Sequence, residues 1–375
     1  MSTRVAGLPT PCLLIDRDRL QANIDRMNAR ADELNVTLRP HVKTHKSVEI
    51  AALIGADAIT VSTLREAEYF AAAGYTDILY AVSIVPGKMD QVLALNLRGA
   101  NVQVLLDMPR TAMEVAEAAA AKDEVVEAWI EIDVDGHRAG LEPDDPQVVE
   151  IGRFLQQSPH TRLAGVLTHA GGAYDCSSLP ELEQHAEQER MLCVHAAHKL
   201  RKQDIRSSRV SVGSTPTALT ARALEGVTEL RAGVYVFFDL FQAGLGVCNI
   251  DDIALSVLTT VISHKPSHRR LIVDAGGLAL SKDRGTASQA KDCGYGLVAH
   301  PDTGQVIPGL QVSAANQEHG MIELPEGFTL DQFPVGSRLR ILPNHACMTA
   351  AAHDHYHVVN PIGQILARWE RCNHW

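Results

Sequence analysis

From residue 37 onward the chain repeats one pattern, a short apolar run followed by an amphipathic run rich in Ala, Leu and Glu. About eight such pairs follow one another, with expected strands at 37–43, 58–62, 78–83, 102–107, 128–134, 163–169, 209–213 and 229–236. Strands that are apolar almost throughout have no solvent face, so helical crossovers must cover both sides of a parallel sheet. Eight repeats in roughly 200 residues fit an α/β chain closed into a (β/α)8 barrel of the TIM type better than an open doubly wound sheet. Near Asp252 the alternation stops. The runs 254–262, 270–274, 338–342 and 357–359 are β-rich and separated by Gly/Pro turns without helices, which predicts a second, mostly β domain. The expected boundaries are 17–250 for the barrel and 251–375 for the β domain. The opening segment 1–16, which precedes the alternation, is expected to pack on the β domain.

Composition narrows the function classes. Apolar residues at 46% and charged residues at 21% exclude a disordered, collagen-like or coiled-coil chain. With 34 basic against 45 acidic side chains the net charge is −11, and no basic cluster offers a nucleic acid or an anionic membrane a footing. No apolar run reaches the roughly 18 residues of a membrane span, and Met1-Ser2-Thr3-Arg4-Val5 lacks a signal-peptide core. The seven cysteines are odd in number and scattered, without a CxxC pair, so a reducing, cytoplasmic compartment is expected rather than a disulfide framework.

Parallel barrels bind ligands at the carboxyl ends of their strands, and the polar residues of this sequence gather there. The first strand ends in Arg39-Pro40-His41-Val42-Lys43-Thr44-His45-Lys46, the fifth runs into Asp135-Gly136-His137-Arg138, and the sixth ends in Thr168-His169-Ala170-Gly171. A lysine in a barrel mouth is partly desolvated, which lowers its pKa and leaves an amine able to form a Schiff base. Lys43 fits that description, although a surface lysine just past the strand fits its position equally. Lys46 is expected to be solvated. Gly213-Ser214-Thr215 opens a helix at 217–224 and reads either as a phosphate turn or as a plain helix N-cap. A phosphate turn and a reactive lysine on one rim together describe pyridoxal phosphate, an aldehyde for the amine and a phosphate for the turn.

These segments, together with Ala232-Gly233-Val234-Tyr235 and Pro343-Asn344-His345-Ala346-Cys347, resemble the D-serine dehydratase and D-threonine aldolase group. That group consists of alanine-racemase-like, fold-type III pyridoxal phosphate enzymes with a divalent metal. The resemblance runs in order along nearly the whole chain. It implies a homodimer with its site between barrel and β domain, and Lys43 as the Schiff-base lysine. It further implies Gly213, Ser214, Thr215, Gly233 and Tyr235 at the phosphate, Arg138 at the ring hydroxyl side, and His169 and Tyr174 at the ring face or edge. His345 and Cys347 would be the metal ligands. On an extended strand an i, i+2 pair shares one face, so imidazole and thiolate could grip one cation, Zn²⁺ by donor type or else Mn²⁺. A histidine and cysteine so spaced also occur as an ordinary core or turn pair. His353, Asp354, His355 and His357 read as surface loop.

In aldolases of this group the metal motif resembles His-x-Asp, and in dehydratases His-x-Cys. Cys347 therefore points to a PLP- and metal-dependent dehydratase, a lyase that turns a D-3-hydroxy amino acid into a 2-oxo acid and ammonia. D-serine and D-threo-3-hydroxyaspartate are the expected substrates. Aldol cleavage to glycine and an aldehyde is the first alternative. A non-catalytic pyridoxal phosphate carrier is the second, and the segment after Asp252 speaks against it. An amino-acid racemase is the third, for which Tyr295 is the only further acid/base in view.

Overall fold

The computed structural model describes residues 4–375. Eight parallel strands appear where the alternation requires them: Thr37–Leu38, Ala58–Val61, Asp77–Ser83, Asn101–Leu106, Val126–Glu131, Thr161–Leu167, Arg209–Val212 and Glu229–Leu230. The first pairs with the eighth, and a bridge between His41 and Thr60 joins the first to the second, so the barrel is nearly closed. Helices follow the strands in turn. Leu64–Ala72 starts at the N-cap Thr63, whose side chain accepts the Glu66 N–H, and Pro109–Ala120 and Pro146–Gln157 carry proline at the first helical position.

The barrel interior is a packed core whose amino end is held by polar pairs. Arg39 grips Asp77 through both terminal nitrogens at 2.8 and 3.1 Å and Glu229 through Nε at 3.0 Å. Asp77 also accepts from Gln103, which in turn accepts from the fully buried Trp129 indole at 2.7 Å. Asp77 begins the third strand, so this network lies at the end of the barrel away from the ligand-binding face. Every charged member is paired, as burial demands.

The β-rich part is a nine-stranded sheet. Leu255–Lys265, Arg270–Val273, Gly320–Glu323, Val306–Ala315, Leu297–Ala299 and Arg338–Leu342 pair in a ring, antiparallel throughout. The strand Cys12–Asp16 pairs antiparallel with Leu255–Lys265 and parallel with His355–Val359, which pairs with Ile365–Glu370. By contacts the chain forms two units. One comprises residues up to Asp25 with Val234–Arg371, and the other Arg26–Gly233 with Cys372–Trp375. His355 and His357 lie on a strand, and His353 Nε2 lies 3.1 Å from the Ala279 carbonyl, so these three are framework and not surface loop.

Candidate active site

The loop that carries Lys43 is built by its neighbours. After Leu38 the chain runs through His41 and turns over Val42, Thr44 and His45, all three buried, to Lys46 at φ 49°. Lys43 stands on this turn, beyond the strand end, and is exposed, so the expected partial desolvation is not what its position provides. Lys46, expected in solvent, is largely buried instead. Its Nζ is 3.0 Å from Glu66, a wholly buried carboxylate that also accepts the Ser62 N–H at 2.9 Å and the Ser62 hydroxyl at 2.8 Å. The ion pair therefore anchors the loop three residues past Lys43. Sequence reasoning missed Glu66, although Thr63-x-x-Glu66 carries the capping-box spacing that would have found it.

A field of positive charge surrounds the histidines at the carboxyl ends of the strands. Burial pushes His169 down to about 3, and the charges of Lys43, Arg138 and Arg231 push the same way. His41 is held well below its ordinary value by burial, Lys43, Arg231 and His169. Both rings are thus neutral at physiological pH. Arg231, also missed in sequence, is a fully buried guanidinium that donates to the Ser211 hydroxyl and to the Thr168 carbonyl. Its signal was a charged residue at the end of an apolar strand. Arg138 is exposed and acts on Glu131 and His169 through its charge. Tyr174 lies beside His169, ring centroids 6.2 Å apart.

The turn after the seventh strand is fixed from inside. Gly213 has φ 113°, which side-chain-bearing residues rarely adopt, and its N–H donates to Glu189 at 3.0 Å. The same oxygen of Glu189 accepts the Ala170 N–H at 3.1 Å, so one buried carboxylate on the helix Leu179–Arg201 clamps the loops after the sixth and seventh strands. Ser214 caps the helix Thr215–Thr220. Its N–H donates to Thr217 Oγ1 and its hydroxyl accepts the Thr217 N–H. The N-cap reading is realised at Ser214, and Thr215 follows, buried, at the first helical position.

The mouth nevertheless suits a pyridoxal phosphate. A Cβ on Gly233 would come within 2.7 Å of the His41 carbonyl oxygen, so glycine keeps the backbone cradle open there. His41 Nδ1 and Thr168 Oγ1 are buried at the strand ends without a hydrogen-bond partner, ready for a polar ligand. Tyr235 lies on the turn Val234–Val236 of the other unit, where complete burial pushes its phenol up.

In the β-rich unit, His345 and Cys347 lie on no strand. His345 is the N-cap of the short helix Ala346–Ala350, because Asp239, itself fully buried, accepts the Ala346 N–H at 2.9 Å and turns the chain there. Convergence of the pair comes from this turn and not from strand alternation, since His345 hydrogen-bonds with Cys347. Burial works against a charge on His345, yet hydrogen bonds to Asp283 and Cys347 and the charges of Cys347 and Asp239 outweigh it, and the pKa is pushed up to about 11. An imidazole and a thiol in contact, with the Asp283 and Asp239 carboxylates beside them, are a donor set that fits a cation. Among the described residues no three His, Cys, Asp or Glu side chains converge as a metal cage, so any ion held by this pair keeps coordination positions for water or substrate.

Residues 15–240 match the alanine racemase N-terminal domain family, and residues 254–359 a serine dehydratase domain family. The chain is 49% identical to D-threo-3-hydroxyaspartate dehydratase of Delftia sp. HT23, over the whole of both chains, and the solved structure of that enzyme superimposes with a TM-score of 0.96. A cysteine-to-alanine variant of a D-threo-3-hydroxyaspartate dehydratase, also 49% identical to this chain, has been solved in a metal-free form. D-serine dehydratase of Dictyostelium discoideum is 32% identical, covering 99% of this chain and 98% of its own. D-threonine aldolase from Filomicrobium marinum is 26% identical with a TM-score of 0.87, covering 99% of this chain and 97% of its own.

Proposed function

The chain belongs to the D-serine dehydratase and D-threonine aldolase family of alanine-racemase-like, fold-type III pyridoxal phosphate enzymes, and from that premise we propose that it dehydrates D-3-hydroxy amino acids, with D-threo-3-hydroxyaspartate preferred. Full-length identity of 49% to an enzyme named for that substrate carries the reading. The convergence of His345 with Cys347, a cysteine where the aldolase motif resembles an aspartate, supports dehydration over aldol cleavage.

Pyridoxal phosphate, when bound, supplies an electron sink for Cα, and a divalent metal supplies Lewis-acid help to the departing hydroxide. Lys43 would hold the cofactor through Nζ, and the same amine is the base placed to take the Cα proton. Glu66 and Lys46 fix the far end of its loop. Thr215 and Gly233 meet the phosphate with Tyr235, while Gly213 and Ser214 shape the turn. Arg138 serves the ring hydroxyl side. His169 and Tyr174 pack at the ring, and because His169 is neutral it donates or accepts hydrogen bonds without contesting the proton.

His345 and Cys347 would hold the metal, and nitrogen plus thiolate favours Zn²⁺, with Mn²⁺ as the alternative. Loss of the Cα proton and the β-hydroxide together releases water. The resulting enamine tautomerises and takes up one water, giving oxaloacetate and ammonia from D-threo-3-hydroxyaspartate or pyruvate and ammonia from D-serine. A homodimer in the cytoplasm completes the reading, supported by the resemblance and by seven free thiols. No helix among the described residues is long and apolar enough to cross a membrane.

The test is product analysis. Purified enzyme is incubated with D-threo-3-hydroxyaspartate, D-serine and D-threonine, with and without Zn²⁺ or Mn²⁺. Ammonia with a 2-oxo acid is expected, fastest from hydroxyaspartate. Glycine with an aldehyde would establish the aldolase instead.

A further inference from the structure

We propose that Asp283 is the positioning residue of the metal site, accepting the Nδ1 proton of His345 and so presenting Nε2 as the ligating atom. The inference rests on His345 and Cys347 as metal ligands and deepens that reading. Asp283 Oδ2 lies 2.6 Å from His345 Nδ1. A neutral imidazole carries one N–H, and the nitrogen that donates it to a carboxylate leaves the other with its lone pair. The ring also hydrogen-bonds with Cys347.

Asp283 is held for this task by a stiff loop. Its Oδ1 accepts the Gly285 N–H at 3.0 Å and its own N–H donates to Ser281 Oγ at 3.0 Å. Ser281 has φ 71°, a left-handed conformation uncommon outside glycine, and Lys282 Nζ reaches the Ala315 carbonyl at 2.7 Å. The helix after His345 is tied to the same region, since Thr349 Oγ1 donates to the Leu280 carbonyl at 2.8 Å. A third-ligand role for Asp283 would require the carboxylate to converge with imidazole and thiol on one point, and among the described residues no such trio exists. Asp283 therefore stands behind the ring, where outer carboxylates fix the tautomer and orientation of ligating histidines.

The experiment measures Zn²⁺ affinity directly. Cofactor-loaded enzyme is stripped of metal and titrated with Zn²⁺ against a chromophoric chelator, for the parent, Asp283→Ala, Asp283→Asn, Asp283→Glu and His345→Ala. Asp283→Ala is expected to weaken binding about 10- to 100-fold, with the visible cofactor absorbance and Tm retained. Asp283→Asn should weaken it too, because an amide can donate to Nδ1 and select the wrong tautomer, and Asp283→Glu should restore part of the affinity. Affinities of Asp283→Ala and Asp283→Asn within about two-fold of the parent, while His345→Ala has lost tight binding, would overturn the proposal alone. A Tm that falls in step with affinity in both variants would also overturn it, by making Asp283 a structural prop. Parental affinity in His345→Ala would instead sink the metal-site reading. Asp283→Asn, nearly isosteric, carries the test should Asp283→Ala not fold.

Discussion

His169 at the barrel mouth and His345 in the β-rich unit both lose solvent, and burial alone would leave each ring neutral. At His169 the neighbours are Lys43, Arg138 and Arg231, so charge adds to burial and the pKa falls to about 3. Around His345 stand Asp283, Cys347 and Asp239, which reverse the effect of burial and raise the pKa to about 11. One residue type is thus tuned in opposite senses by its neighbours. A cationic mouth suits an anionic cofactor and keeps its own histidines neutral, in keeping with the proposed role of Lys43 as the base. An anionic turn suits a metal ion.

The strongest challenge to this division is Lys43→Ala. Turnover should fall about ten-thousand-fold or more and the visible absorbance of bound cofactor should vanish. An absorbance that persists would remove Lys43 from its role and with it the contrast between the two regions. Next in size, His345→Ala and Cys347→Ala should each lower turnover about 100- to 1000-fold while the absorbance stays, and EDTA should do the same to the parent. Full activity of metal-free enzyme would mean that the anionic turn holds nothing the reaction needs.

Glu189→Ala tests how the mouth is built. It strands the Ala170 and Gly213 N–H groups at about 1–3 kcal/mol each, so thermal denaturation should show a clear loss of stability and the cofactor should dissociate faster. An unchanged Tm would mean that the two loops hold themselves. The smallest effect concerns acid. Because the folded pKa of His169 lies below the unfolded value near 6.5, its neutral state contributes stability that is whole above pH 6.5 and drains as the pH falls toward 3. The slope is at most about 1.4 kcal/mol per pH unit. Urea unfolding between pH 6.5 and 5 should show that slope, and His169→Gln should flatten it by about one proton.

Much of the fold was legible because hydrophobic periodicity is a local signal. Each of the eight barrel strands overlaps its expected run, four of them starting one or two residues earlier, although Thr37–Leu38 and Glu229–Leu230 are far shorter than the runs that announced them. The site was legible in part. Lys43, His169, Gly213 and Gly233 were marked by their places at strand ends. Glu66 and Arg231 carried only local signals, a capping-box spacing and a charge at a strand end, while Glu189 and Asp283 carried none, since they act on backbone amides or on a partner far along the chain. The pairing of His345 with Cys347 was expected for the wrong reason, strand alternation, when a helix cap set by Asp239 brings them together.

By itself the sequence determined the succession of eight strand-and-helix repeats, the change to β-rich chain near residue 252, and the residue types available for Schiff-base and metal chemistry. Spacing along a chain is enough for that, because secondary structure has fixed periods. Which charges surround each histidine was decided only in three dimensions. Electrostatic energy depends on distance through space and on lost solvent, so Arg231 reaches His169 and Asp283 reaches His345 across more than 60 positions of sequence.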